Sequence, residues 1–119
     1  MAEIPTNTEL VPSARSEGDT IFATVRGEID LHSSPALRDT ILGALNKFRP
    51  KKVILDLSQV PYMDSSAVAV LVEALQKMRK AGGKICLVAL QPRVKGLLEI
   101  ARLDSIFIIC NDEQEAIKK

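Results

Sequence analysis

The sequence predicts an α/β domain: a mixed, mostly parallel sheet of four or five strands, opened by an antiparallel N-terminal hairpin, with helices packed on the sheet. Three observations predict it. Lys52-Val53-Ile54-Leu55-Asp56-Leu57 and the runs Lys84 to Ala89 and Ile106 to Ile109 are short, apolar and rich in β-branched residues, as strands buried on both faces are. Between these runs apolar residues recur at helical spacing, with cap signals at their ends. The resulting order of strand, helix, strand, helix, strand calls for right-handed crossovers and therefore parallel neighbours. With 119 residues, 46% of them hydrophobic, the chain can fill one core without disulfide or metal staples.

Taken in order, Met1 to Asn7 is polar, contains Pro5 and is expected to be a flexible terminus, leaving a domain over 8–119. Thr8 to Arg15, with Pro12, reads as an edge strand. Glu17-Gly18-Asp19 turns it into Thr20 to Arg26, where Ile21, Ala23 and Val25 alternate with Phe22, Thr24 and Arg26. Ser34 followed by Pro35 reads as an N-cap with proline at the first helical position, ahead of a stripe of Leu37, Ile41 and Leu45.

After the strand at Lys52 comes a long helix with Val68, Leu71, Val72, Leu75 and Met78 on one face. Lys77, Arg79 and Lys80 in its last turn and Ala81-Gly82-Gly83 beyond it are stop signals. Pro92 starts a helix bearing Val94, Leu97, Leu98 and Ala101, and Asn111-Asp112 with Glu115 resembles a capping box for a short terminal helix.

Composition narrows the function classes. A net charge of +1, with acids and bases interspersed along the chain, argues against a nucleic-acid partner or an anionic membrane surface. No apolar stretch approaches the span of a bilayer and no signal-peptide pattern opens the chain, so a cytoplasmic protein without direct membrane insertion is expected. Cys86 and Cys110 lack a CxxC spacing and read as reduced thiols, and no metal or cofactor is expected.

The most informative segment is Val60-Pro61-Tyr62-Met63-Asp64-Ser65-Ser66-Ala67, where a buried strand becomes a helix. Asp and Ser are ordinary N-caps, but one cap needs one side chain and here three candidates are adjacent. A spare serine hydroxyl at a helix start could accept a phosphoryl group, adding about −1.5 to −2 charges at neutral pH. Other chemistries fare worse. The GxSxG glycines of a serine hydrolase are missing, and His32 is the sole imidazole base. Asp30, Asp56 and Asp64 are not expected to form a carboxylate metal cluster, because Asp56 alternates within a strand and no second carboxylate adjoins Asp64 in the sequence, and Ala81-Gly82-Gly83-Lys84 follows a helix and lacks GxxxxGK[ST]. No catalytic residue is assigned and no enzyme is expected. Asp30, Asp64 to Ser66 and Leu90-Gln91-Pro92 should converge at the carboxyl ends of the strands.

With these residues in view, the chain resembles the anti-sigma factor antagonists, bacterial members of the STAS (sulfate transporter and anti-sigma factor antagonist) domain family, from about Thr8 to Ile117. The resemblance lies in Gly27-Glu28-Ile29-Asp30, in Val53-Ile54-Leu55-Asp56-Leu57 leading to Tyr62-Met63-Asp64-Ser65-Ser66, in Lys80-Ala81-Gly82-Gly83, and in Val94 to Leu103 ahead of Ile106-Phe107. It implies a STAS-like fold with Ser65 as phosphoacceptor, Asp64 shaping the site and Ser66 at the neighbouring Ser or Thr position. The implied partner-binding surface comprises Asp30, Tyr62, Met63, Asp64, Ser65, Ser66 and Ala67. In that family the unphosphorylated protein binds an anti-sigma factor that is also a serine kinase, freeing a sigma factor; phosphorylation ends binding and a serine phosphatase restores it.

One departure is Ala67, where the family usually has glycine. Its methyl favours helix by up to ~1 kcal/mol but is expected to fill space on the approach of a kinase loop. Two rivals stand beside this reading: a STAS subunit of a transporter or lipid-trafficking complex acting as a docking module, and a nucleotide-binding or weak hydrolytic activity of Asp30, Asp64 and Ser65. The last ranks lowest, because no phosphate cradle or cationic clamp is visible.

Overall fold

Alternate residues of the central strands point to opposite faces, and this alternation divides the core in two. The computed structural model describes residues 2–4 and 9–119. Its elements are β1 (Ala2–Glu3), β2 (Ser13–Glu17), β3 (Thr20–Arg26), α1 (Ser34–Phe48), β4 (Lys52–Gln59), α2 (Ser65–Lys80), β5 (Lys84–Val88), α3 (Pro92–Ile100), β6 (Ile108–Cys110) and α4 (Glu113–Ile117). The strands lie in sequence order in one sheet. β1, β2 and β3 pair antiparallel, whereas β3 to β6 are parallel neighbours.

Each parallel crossover advances one strand in the same direction, so right-handed connections place α1, α2 and α3 on one face. Accordingly Ile21, Val25, Val53, Leu55, Ile85 and Leu87 share a core with Leu37 and Ile41 of α1, Leu71 and Leu75 of α2 and Leu98 of α3. The intervening positions Phe22, Ile54, Cys86, Val88 and Cys110 meet Ala116 of α4 on the other face. Both thiols are buried there, and burial raises their pKa above the usual thiol value. No helix of the described residues is long and apolar enough to cross a membrane.

Several boundaries differ from the sequence expectations, for identifiable reasons. Five of the strands are the expected ones, and β1 adds a sixth. The loose terminus expected over 1–7 does not describe Ala2 to Ile4: Ala2 pairs with Ser16 and Glu3 with Arg15, and Ile4 is buried with its N–H donating to the Ala14 carbonyl at 2.9 Å. An apolar side chain at Ile4 draws the segment onto the exposed edge of β2. Met1 and residues 5–8, which include the rest of that segment and the expected hairpin start at Thr8, lie outside the described residues. The hairpin strand begins at Ser13, after Pro12, which has no N–H to give to a ladder.

Ser34 is not the cap of α1 but a buried residue of its first turn. Ala101 is not part of the apolar stripe of α3; it is the exposed C-cap. The two glycines after α2 serve different ends. Gly82 adopts φ +77, the left-handed geometry of a helix stop, whereas a Cβ on Gly83 would lie 2.8 Å from the Lys51 carbonyl oxygen.

Candidate functional site

The site forms because the loops after β3 and β4 continue to pair beyond the regular sheet. Gly27 N–H donates to the Gln59 carbonyl at 2.9 Å, Ile29 N–H to Tyr62 at 3.0 Å, and Asp64 N–H back to Ile29 at 3.0 Å. Ile29 and Met63, bridged in parallel, are both buried. Their burial anchors the loops and sets Asp30 and Asp64 side by side at the mouth of an open concavity that Leu31 and His32 also line.

Asp64 is the N-cap of α2, in extended geometry. Its Oδ1 accepts the N–H of Ser66 at 2.9 Å and of Ala67 at 3.3 Å, together with the Ser66 hydroxyl. Its Oδ2 accepts the N–H of Leu31 at 3.1 Å. The Ser66 hydroxyl above all, then the amides of Ala67, Ser66 and Leu31, hold the carboxyl below the usual range. Asp30 orders the turn that leads into α1 without capping the helix itself. Its Oδ1 accepts from His32 N–H at 2.9 Å, Ser33 N–H at 3.0 Å and the Ser33 hydroxyl at 3.2 Å. The Ser33 amide is the main cause holding its pKa down, with the His32 amide and Ser33 hydroxyl behind it. The N-cap of α1 is Ser33, one residue before the expected Ser34, and its side chain makes no capping hydrogen bond; Asp30 orders the turn ahead of it.

The two serines separate sharply. Ser66 is half-buried and committed to Asp64. Ser65, the first residue of α2, is exposed, and among the described residues its hydroxyl takes part in no hydrogen bond. Tyr62 is half-buried with the Arg93 guanidinium 4.9 Å from its ring centroid, a cation–π contact. The third expected loop does arrive at this end, since Gln91 Nε2 donates to the Ser58 carbonyl at 2.7 Å. Asp56 does not join it; its carboxylate accepts the N–H of Ser58 at 2.8 Å.

Two residues of the expected contact surface belong to the interior. Met63 is 3% exposed and Ala67 is 0% exposed, so their side chains pack in the core and present nothing to a partner. The Ala67 methyl accordingly points inward and does not obstruct an approaching loop. Sequence reasoning also missed two residues. Leu31 is 77% exposed, directly beside the two aspartates; its signal was an apolar residue between Asp30 and His32, out of phase with the α1 stripe. Arg93 carried no local signal, because its contact with Tyr62 exists only once α3 packs beside the β4–α2 loop.

Comparison with known proteins agrees with this architecture. The STAS domain family model matches residues 11–116. The chain is 35% identical over 100 residues to an anti-sigma-B factor antagonist of Listeria monocytogenes serovar 1/2a, covering 82% of this chain and 84% of that protein. It is 32% identical over 91 residues to a putative sulfate transporter, YvdB, of Bacillus subtilis, covering 76% of this chain and 17% of the transporter. Among solved structures, the Bacillus cell fate determinant SpoIIAA in its phosphorylated form superposes with a TM-score of 0.71 at 20% identity, over 89% of this chain and 96% of that one.

Proposed function

The chain belongs to the STAS domain family, and from that premise we propose that it is an anti-sigma factor antagonist, cytoplasmic, whose docking surface is switched by phosphorylation of Ser65. The observation that carries this reading is the division of labour between the serines. Asp64 and Ser66 complete the helix cap between them, so Ser65 Oγ is left exposed and free of hydrogen bonds. The partner is an anti-sigma factor with serine kinase activity, and a serine phosphatase reverses the modification. In the forward step Ser65 Oγ attacks the γ-phosphorus of ATP, its proton passes to a base of the kinase, and ADP leaves.

The added dianion would stand beside Asp64 and near Asp30, both anionic at neutral pH as aspartates ordinarily are and held further toward the charged form by hydrogen bonds that lower their pKa. The Ser66 and Ala67 amides of α2 are already taken by Asp64, so they are not available to neutralise it. The fold tolerates the charge at a helix start, whereas a docked partner meets like-charge repulsion and desolvation. A loss of ~3 kcal/mol in binding corresponds to more than a hundredfold in affinity.

The test is incubation with host lysate and ATP, followed by intact mass and peptide mapping. One phosphate on Ser65, none on Ser65→Ala, and release of the anti-sigma factor by Ser65→Asp are expected. Phosphate uptake undiminished by Ser65→Ala, or Ser65→Asp binding as tightly as the unmodified protein, would overturn the reading. The likeness to YvdB favours a second reading, in which the domain docks into a transporter or lipid-trafficking complex and Asp64-Ser65 is a capping element alone. A stable membrane complex without a mass shift at Ser65 would select it.

A further inference from the structure

Charges that alternate along the sequence separate in space. β3, β4 and β5 start level with one another, Thr20 beside Lys52 and Lys52 beside Lys84, and α1 and α2 run back to end at that same edge. The end of the molecule opposite Ser65 therefore collects Lys47, Arg49, Lys51, Lys77, Lys80 and Lys84, all exposed. A cleft of about 460 Å³ opens between the ends of the two helices, with Arg49, Lys77, Leu45 and Met78 in its lining.

Cations at helix C-termini complement the helix dipole, which accounts for Lys47, Lys77 and Lys80. It does not account for Lys51 in the following loop. None of these cations forms an ion pair among the described residues, where the pairs join Arg15 to Glu17 and Glu113, and Arg38 to Glu73; Lys77 lies within electrostatic reach of Glu73 on the same helix, and the Lys84 ammonium donates to the Lys119 carbonyl at 3.1 Å. Asp19 in the β2–β3 turn lies at this edge, its carbonyl accepting the Lys51 and Lys52 N–H groups at 2.7 and 3.2 Å.

Two of the three exposed large hydrophobic residues among those described lie here as well. Ile117 is 53% exposed, and its carbonyl accepts the Lys52 ammonium at 3.0 Å. Ile100, 84% exposed, closes α3, and the loop beyond it is held to the last turn of α2 by Arg79 Nη2 on the Ile106 carbonyl at 3.2 Å. The interspersed charges of the sequence argued against an anion-facing surface; the fold removes that ground by gathering the cations at one end.

We propose that this end, with its cationic cluster flanked by Ile100 and Ile117, is a peripheral docking surface for an anionic phospholipid bilayer. Lysine and arginine heads would meet lipid phosphates while the two isoleucines enter the headgroup layer. Exposed aliphatic side chains have no use against a phosphodiester backbone, whereas a bilayer takes up both kinds of group. Docking this way leaves Asp64 and Ser65 turned toward solvent, so the proposal stands whether or not Ser65 is a phosphoacceptor.

The experiment is vesicle flotation of the full chain, comparing phosphatidylcholine alone with phosphatidylcholine containing roughly 30 mol% phosphatidylglycerol, an anionic fraction sufficient for a negative surface potential. Association with the anionic vesicles only, weakening as added salt shortens the screening length, is expected. The Lys77→Glu, Lys80→Glu double variant should bind at least tenfold more weakly, at about fivefold for each cation lost. Ile100→Ser should weaken binding severalfold, and thermal melts would show both variants folded. No association at low salt, or association indifferent to the charge reversals, overturns the proposal. Salt-sensitive binding to polyuridylate or dimerisation lost on charge reversal, without vesicle binding, overturns it in favour of a nucleic acid or a second copy.

Discussion

The Asp64 carboxylate accepts the backbone N–H of Leu31 at 3.1 Å, across 33 residues of sequence. One side chain thereby caps α2, orients Ser66 and holds in place the loop that exposes Leu31. Replacing Asp64 by Ala should lower the melting midpoint by about 5 °C, the scale of a lost N-cap in a domain of this size. Amide exchange at Leu31 should accelerate in the same variant. Unchanged protection at Leu31 would show that the loop is held by the Ile29 pairing alone.

The same hydrogen bonds set an acid limit. Asp64 and Asp30 have folded-state pKa values below the ordinary carboxylate value, which is about 3.9 for an unfolded aspartate. Between the folded and unfolded values the unfolded chain binds more protons, so stability rises with pH through that window. Their contribution is complete above the unfolded value and is lost as pH falls through the folded ones. A plateau in melting temperature from neutrality to about pH 5, then a decline below about pH 4, is expected. Asp64→Asn should decline less steeply there; parallel acid limbs for the two proteins would assign the decline to other groups.

Ser65→Ala and Ser66→Ala should behave oppositely. The first removes an exposed hydroxyl with no partner and should leave stability within about 0.5 kcal/mol while abolishing phosphate uptake. The second removes a hydrogen-bond donor to Asp64, and should lower the melting midpoint while phosphate still enters at Ser65. Mapping the phosphate to residue 66 in the Ser65→Ala protein would reverse this assignment.

Leu31 is exposed beside the two aspartates, so Leu31→Ser should fold normally, with stability changed by less than about 0.5 kcal/mol. Its expected effect is on association: truncating a central apolar contact of an interface costs about 2 kcal/mol or more, or at least tenfold in affinity for the anti-sigma factor. Titration calorimetry reads this directly, and unaltered affinity would exclude Leu31 from the interface.

Gly83 tests the other end of the molecule. A methyl there would lie 2.7 Å from Met78 Cε and 2.8 Å from the Lys51 carbonyl oxygen. The methionine can move but the backbone cannot easily do so, and Gly83→Ala should cost about 1–3 kcal/mol by overpacking. Gly82→Ala meets no neighbour and should cost about 1–2 kcal/mol from its left-handed backbone alone. Relief of the Gly83→Ala defect by shortening Met78 would implicate the side chain instead of the carbonyl.

Much of the fold was legible because its signals are local. Val53, Ile54, Leu55 and Leu57 announce a doubly buried strand, and Val68, Leu71, Leu75 and Met78 a helix face, from the periods of their own segments. The cap at Asp64 was legible for the same reason. Errors arose where a distant element decides the outcome: Ile4 is placed by the edge of β2, and Met63 is buried although its segment reads as a loop. Arg93 reaches Tyr62 only through the packing of α3.

The sequence by itself determined the class of fold, the alternation of strands and helices along the chain and the position of an Asp-Ser-Ser triplet at a helix start, since periodicity and capping act over a few residues. Tertiary structure decided which serine remains free, which of the site residues face solvent, and where the charges gather. Those properties depend on hydrogen bonds such as Leu31 to Asp64 and on strand register, which join residues far apart in the chain. No local window contains both partners of such a contact, so it exists only once the sheet has brought them together.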